Sequence, residues 1–193
     1  MSDRETEIIL FDAFSQALKK LCRDDFVLFS TQKKKGPITH RIAMYIENEL
    51  DSSAYLCDTQ FQIKGEKQTY TPDMIIHDRK GNEAMAIYWQ DGYLSGREKE
   101  EARDFHKEKK CFTIAFSLLP DKDYFLIYRF AENYTDYLHI SREDFSEEVL
   151  KRCSSDEDII SDQLLFKLEK KRQRKKKEDE SLPAAAEDPA LSE

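Results

Sequence analysis

The sequence predicts a mixed α/β domain folded around a central sheet. Apolar residues recur at helical steps of three and four in the first fifty residues, then at strand-like steps of two from Ala54 onward. Three strand-like runs follow one another before Gln90, with Lys64-Gly65-Glu66-Lys67 and Asp78-Arg79-Lys80-Gly81-Asn82 as the turns between them. A strongly polar helical stretch then separates these runs from two further apolar strands.

The first helix, residues 5–22, carries Phe11, Phe14, Leu18 and Leu21 along one stripe. A basic loop follows, Lys33-Lys34-Lys35-Gly36-Pro37. Thr39 then caps a second helix with Ile42, Tyr45, Ile46 and Leu50 on one side, ending near Asp51-Ser52-Ser53. Tyr55 to Ile63 reads as the first strand, and the runs Thr71 to His77 and Ala84 to Gln90 read as a hairpin. Ser95 and Glu98 have the spacing of a capping box and open a surface helix to about Lys109, whose apolar face is Ala102 and Phe105. Cys111 to Phe116 and Tyr124 to Phe130 are two more strands, joined by a Pro120-Asp121-Lys122-Asp123 turn. A short apolar piece, Leu138 to Ile140, precedes a helix capped by Ser141 and running to about Arg152. A last helix begins near Asp158 and uses Ile159, Leu164, Leu165 and Leu168. Residues 171–193 contain no aromatic and little that can be buried, the composition of a disordered charged tail. The expected organisation is an N-terminal helix and basic loop (1–37), a core (38–140), C-terminal helices packed on that core (141–170) and the tail (171–193).

The formal charge of −8 is unevenly spread. Lys167 to Lys177 contributes +7 and Glu178 to Glu193 contributes −6, which leaves −9 on residues 1–166. So acidic a body argues against a dedicated electrostatic binder of DNA or membranes, because non-specific nucleic-acid affinity comes from Lys and Arg neutralising phosphates. No stretch approaches the ~20 apolar residues of a membrane span, and the N-terminus lacks the basic start and apolar core of a signal peptide. These features predict a cytoplasmic protein. Cys22, Cys57, Cys111 and Cys153 are 35, 54 and 42 residues apart and form no Cys-x-x-Cys pair, so they read as ordinary thiols rather than zinc ligands or disulfides.

The hairpin carries the chemistry. A turn centred on Lys80-Gly81 pairs residues whose numbers sum to 161, which puts Tyr88 opposite Asp73. With a side-chain period of two, Tyr88 and Gln90 share one face while Ile87 and Trp89 point into a core on the other. Asp73, Tyr88 and Gln90 are therefore expected to converge at one end of the hairpin.

The helix Thr39-His40-Arg41-Ile42-Ala43-Met44-Tyr45, the strand Asp58-Thr59-Gln60-Phe61 and the run Pro72-Asp73-Met74-Ile75-Ile76-His77 before an apolar strand resemble the PD-(D/E)XK, restriction-endonuclease-like superfamily. The pattern is particularly similar to bacterial members whose strand reads Pro-Asp, an apolar run and a His. The resemblance spans about residues 38–130 and implies an αβββαβ core with a mixed central sheet. It also implies phosphodiester hydrolysis with Mg2+, held by an Asp and by an acid on the neighbouring strand, with a Lys two residues further along. On this chain Asp73 matches the Asp, Tyr88 stands where the second acid belongs, Gln90 stands in the place of the Lys, and Gln60 occupies the position of an upstream Glu. A phenol titrates near pH ~10 and is a poor magnesium ligand at neutral pH. The motif is thus catalytically degenerate, which implies an accessory or nucleic-acid- or protein-binding role without a cofactor.

The alternative is an active Mg2+-dependent endonuclease in which Glu47, Asp58, Asp91, Glu98 or Glu101 supplies a relocated carboxylate. A third reading is a regulatory protein-interaction module acting through the charged tail. Lys33, Lys34 and Lys35 are candidate phosphate contacts, and the basic run from Lys170 to Lys177 is a candidate site for nucleic acid or an acidic protein. Asp73 also has a purely structural reading, as a carboxylate bonded to nearby backbone amides. His77 is expected to pack at the end of its strand, His40 and His106 to be solvated, and Pro120-Asp121 to be a turn rather than a second motif.

Overall fold

The computed structural model describes residues 3–32, 34–51 and 53–154. Lys33, the helix expected from Asp158 and the charged tail lie outside them. Helix α1 (Asp3–Asp24) buries Leu10, Phe11, Phe14, Ala17, Leu18 and Leu21, the stripe that its apolar spacing requires. A 3-10 turn (Phe26–Ser30) leads to α2 (Lys35–Glu49), which buries Ile38, Ile42, Ala43 and Ile46. This helix starts four residues before the expected cap. Its first bond runs from Ile38 N–H to Lys34 O, so the N–H that Pro37 lacks would have had no acceptor inside the helix. Thr39 instead lies within the helix and donates its hydroxyl to Lys35 O at 2.8 Å.

Nine strands follow among the described residues: β1 (Tyr55–Thr59), β2 (Ile63–Lys64), β3 (Thr69–Tyr70), β4 (Met74–Asp78), β5 (Glu83–Asp91), β6 (Phe112–Leu118), β7 (Tyr124–Ala131), β8 (Tyr134–Ser141) and β9 (Glu147–Ser154). The single long strand expected over 55–63 is broken, because Gln60 adopts the left-handed conformation with φ 58° and turns the chain out of the sheet. Ile63–Lys64 then pairs with Thr69–Tyr70 in a separate two-stranded ribbon.

The seven remaining strands form one mixed sheet in the order β1-β4-β5-β6-β7-β8-β9. Among these, β5 and β6 are the single parallel pair, and α3 (Gly96–Lys109) is the crossover that a parallel connection requires. The order α2, β1, β4, β5, α3, β6, β7 follows the anticipated alternation, with the ribbon inserted and β8 and β9 added. Helices α1 and α2 pack with Met85, Ile87, Trp89, Ile114 and Phe116 in one core. On the other face Tyr88 lies edge-on to Phe105 of α3, with ring centres 6.2 Å apart. Ser95 and Glu98 form the anticipated capping box.

Two further expectations fail. The helix assigned from Ser141 to Arg152 is strand β9, reached through a turn. Ser141 Oγ accepts from the N–H groups of Glu143 and Asp144, and Asp144 Oδ1 accepts from the N–H and hydroxyl of Ser146. These short-range bonds reverse the chain instead of starting a helix. The sheet therefore runs through Ser154, beyond the boundary at 140. His106, expected in solvent, is buried on α3 with Nδ1 2.8 Å from Cys111 O, and burial lowers its pKa. With Lys99, it widens the apolar face read from Ala102 and Phe105.

Candidate functional site

The turn before β5 is built by Asp78. Its Oδ1 accepts from the N–H groups of Lys80 and Asn82 at 2.8 and 2.9 Å, and Gly81 supplies the positive φ of 88°. The hairpin then pairs Met74 with Ile87, Ile75 with Ala86 and Ile76 with Met85, the expected register, with an irregularity only at His77. Continuing that register brings Asp73 opposite Tyr88. On the other side Thr59 pairs with Met74, and Gln60 N–H donates to Asp73 O at 3.2 Å. Gln60 just past β1, Asp73 just before β4 and Tyr88 on β5 thus form one row, with half-buried Gln90 two residues beyond.

Within that row the side chains do different things. Tyr88 is buried beneath α3, and its hydroxyl meets no hydrogen-bond partner among the described residues. Burial, then the carboxylate of Glu101, push the phenol far above its ordinary pKa and keep it neutral. Asp73 Oδ2 accepts the backbone N–H of Trp89 at 2.8 Å, the structural use of an Asp after Pro. Its Oδ1 lies 2.9 Å from Lys35 Nζ. Trp89 is fixed from its other end, since the indole Nε1–H donates to Thr39 Oγ1 at 2.8 Å. Lys34 reaches Asp91 at 3.0 Å and donates to Phe29 O at 3.1 Å. Both described lysines of the basic loop are therefore paired with carboxylates at the strand ends.

The other acids that could move into a metal site are engaged elsewhere. Glu47 accepts the N–H of Cys57 at 2.9 Å, Asp58 contacts His77 Nε2 at 2.8 Å, and Glu98 closes the capping box. Glu101 makes a long contact of 3.5 Å with the N–H of Thr71. Among the described residues, no group of three or more His, Cys, Asp or Glu side chains is arranged to hold a metal ion. One ion-paired carboxylate, a neutral phenol and an amide do not fit the oxygen-rich, anionic shell that Mg2+ requires.

The hairpin register that sets Asp73 opposite Tyr88 was expected, whereas Lys35, Thr39 and the Trp89 indole were not expected beside them. The signal was available in the Lys-Lys-Gly-Pro run once Pro37 is placed in a first helical turn. All four cysteines are free thiols, and burial pushes Cys57 up to about 12. No helix among the described residues is long and apolar enough to cross a membrane. No family model, curated protein or solved structure matches the chain.

Proposed function

We propose that the chain is a PD-(D/E)XK-like protein with a catalytically degenerate metal site, acting as a binding or accessory module rather than as a hydrolase. The observation that carries this reading is the Gln60–Asp73–Tyr88 row, in which the retained Asp is ion-paired and a buried phenol stands where a second carboxylate would be needed. The succession of α2, three antiparallel strands, α3 and a parallel strand supports the fold-level part of the reading. The test is cleavage of supercoiled plasmid and short duplexes with Mg2+ or Mn2+, wild type beside Asp73→Ala. The reading predicts no cutting by either; metal-dependent cutting that Asp73→Ala removes would establish the active alternative.

Within the binding role, a protein partner is favoured over nucleic acid by one observation. Lys34 and Lys35, the described lysines of the basic loop, are already neutralised by Asp91 and Asp73. Any duplex affinity is then expected to change little with salt, since counterion release scales with the phosphates neutralised. A steep negative slope of log affinity against log salt would reverse that preference.

A further inference from the structure

We infer that Lys35 is a tethered counter-ion that holds a cation's place at Asp73 and excludes divalent metal from it, an inference that rests on reading Asp73 as the retained carboxylate of a degenerate site. Both oxygens of that carboxylate have donors: the Trp89 N–H on Oδ2 and the Lys35 ammonium on Oδ1. The ammonium also lies 5.7 Å from the centre of the Trp89 ring.

The base of the lysine is anchored to the same strand. Lys35 O accepts the Thr39 hydroxyl, whose oxygen accepts the Trp89 indole N–H. Trp89 is thus held to Asp73 through its backbone and to the first turn of α2 through its ring. Lys34 repeats the arrangement one residue earlier with Asp91. Lysines at a helix N-terminus oppose the positive end of the helix dipole, and α2 has no acid in its own first turn. Asp73 and Asp91 supply the missing negative charge from the sheet. A hydrated divalent ion would have to displace an ammonium that its own backbone keeps beside the carboxylate, and no group of three or more ligating side chains among the described residues replaces the lost water ligands.

Trp89 is the single tryptophan of the chain, so it reports on this spot. Terbium(III), a hard oxygen-seeking ion, emits when excited through a nearby indole. The probe is terbium chloride added to the full-length protein, excited where tryptophan alone absorbs. The expected result is no sensitised emission from the wild type, emission from Lys35→Met, and its loss in Lys35→Met with Asp73→Asn. Lys35→Gln replaces the Met variant if near-ultraviolet circular dichroism shows that the latter has not folded. A folded, neutral variant at 35 that stays dark would overturn the inference, as would wild-type emission that Asp73→Asn abolishes. Failure here is separable from failure of the proposed function: dark variants without DNA cleavage remove only the role of Lys35, whereas cleavage by the wild type removes the degenerate site itself.

Discussion

Tyr88 hides a hydroxyl that finds no partner among the described residues, and a buried donor left unmade costs roughly 1–3 kcal/mol. Tyr88→Phe is expected to leave stability unchanged or raise it by about 1 kcal/mol in urea unfolding, whereas a loss of that size would reveal an acceptor. His77 behaves in the opposite way. Its Nδ1 faces Asp78 O and its Nε2 faces Asp58, so both nitrogens are placed to donate and the charged ring is favoured. The carbonyl of Asp78, then the carboxylate of Asp58, raise its pKa above the ordinary 6.5. A raised folded pKa means that the stabilisation is complete below the unfolded value and is lost as pH rises through the folded one. His77→Gln should therefore cost stability in mildly acidic buffer and nothing in alkaline buffer, as read from unfolding midpoints across that range. The pairing of Asp73 with Tyr88 was legible because turn residues and a period of two determine register. The ion pair to Lys35 was not, because Gly36 and Pro37 read as loop residues unless the orphan N–H groups of a first helical turn are considered.

At the scale of elements, β1 is an edge strand whose outward N–H groups would otherwise be open to pairing. Asp51 O takes that of Tyr55 and the Glu47 carboxylate that of Cys57. Glu47→Ala is expected to cost about 1 kcal/mol and to speed exchange of the Cys57 amide, measured by hydrogen–deuterium exchange. Unchanged protection there would show that Glu47 does not guard the edge. Helices α1 and α2 and the hairpin were readable from periodicity, and α3 from its capping box, although α2 starts before its expected cap. Strand β9 was not, because Glu147-Glu148-Val149-Leu150-Lys151-Arg152 carries helix-forming residues and its conformation is decided by pairing with β8. The break at Gln60 was equally hidden, since a left-handed residue other than Gly leaves little trace in composition.

For the whole molecule, the last three strands of the sheet, of which β9 lies beyond the anticipated core, are joined by a charged row. Arg129 on β7, Asp136 on β8 and Arg152 on β9 stand opposite one another. Asp136 is fully buried, and it accepts from Arg129 Nη2 at 2.5 Å and from Arg152 Nε at 2.6 Å. Burial alone would raise its pKa, but the hydrogen bonds from Arg152 and Arg129 outweigh that and hold the carboxyl below its ordinary value. Asp136→Asn leaves Arg129 mostly buried without its counter-ion and is expected to cost roughly 3 kcal/mol. In the wild type this contribution fades as pH falls through the depressed pKa, and a variant as acid-sensitive as the parent would contradict it. Nothing in the sequence flagged the triad, because its members are seven and sixteen residues apart and meet only through strand register. The same long-range pairing sets the central site, where the chain's acidic body offers carboxylates at many positions yet commits those nearest the motif to ion pairs and backbone N–H groups. The most direct measurement of that claim is the anomalous signal of a Mn2+-soaked crystal at Asp73. No manganese peak is expected there, with Lys35 still paired with the carboxylate; manganese bound between Asp73 and a second acid would mean that the carboxylate is free to hold metal.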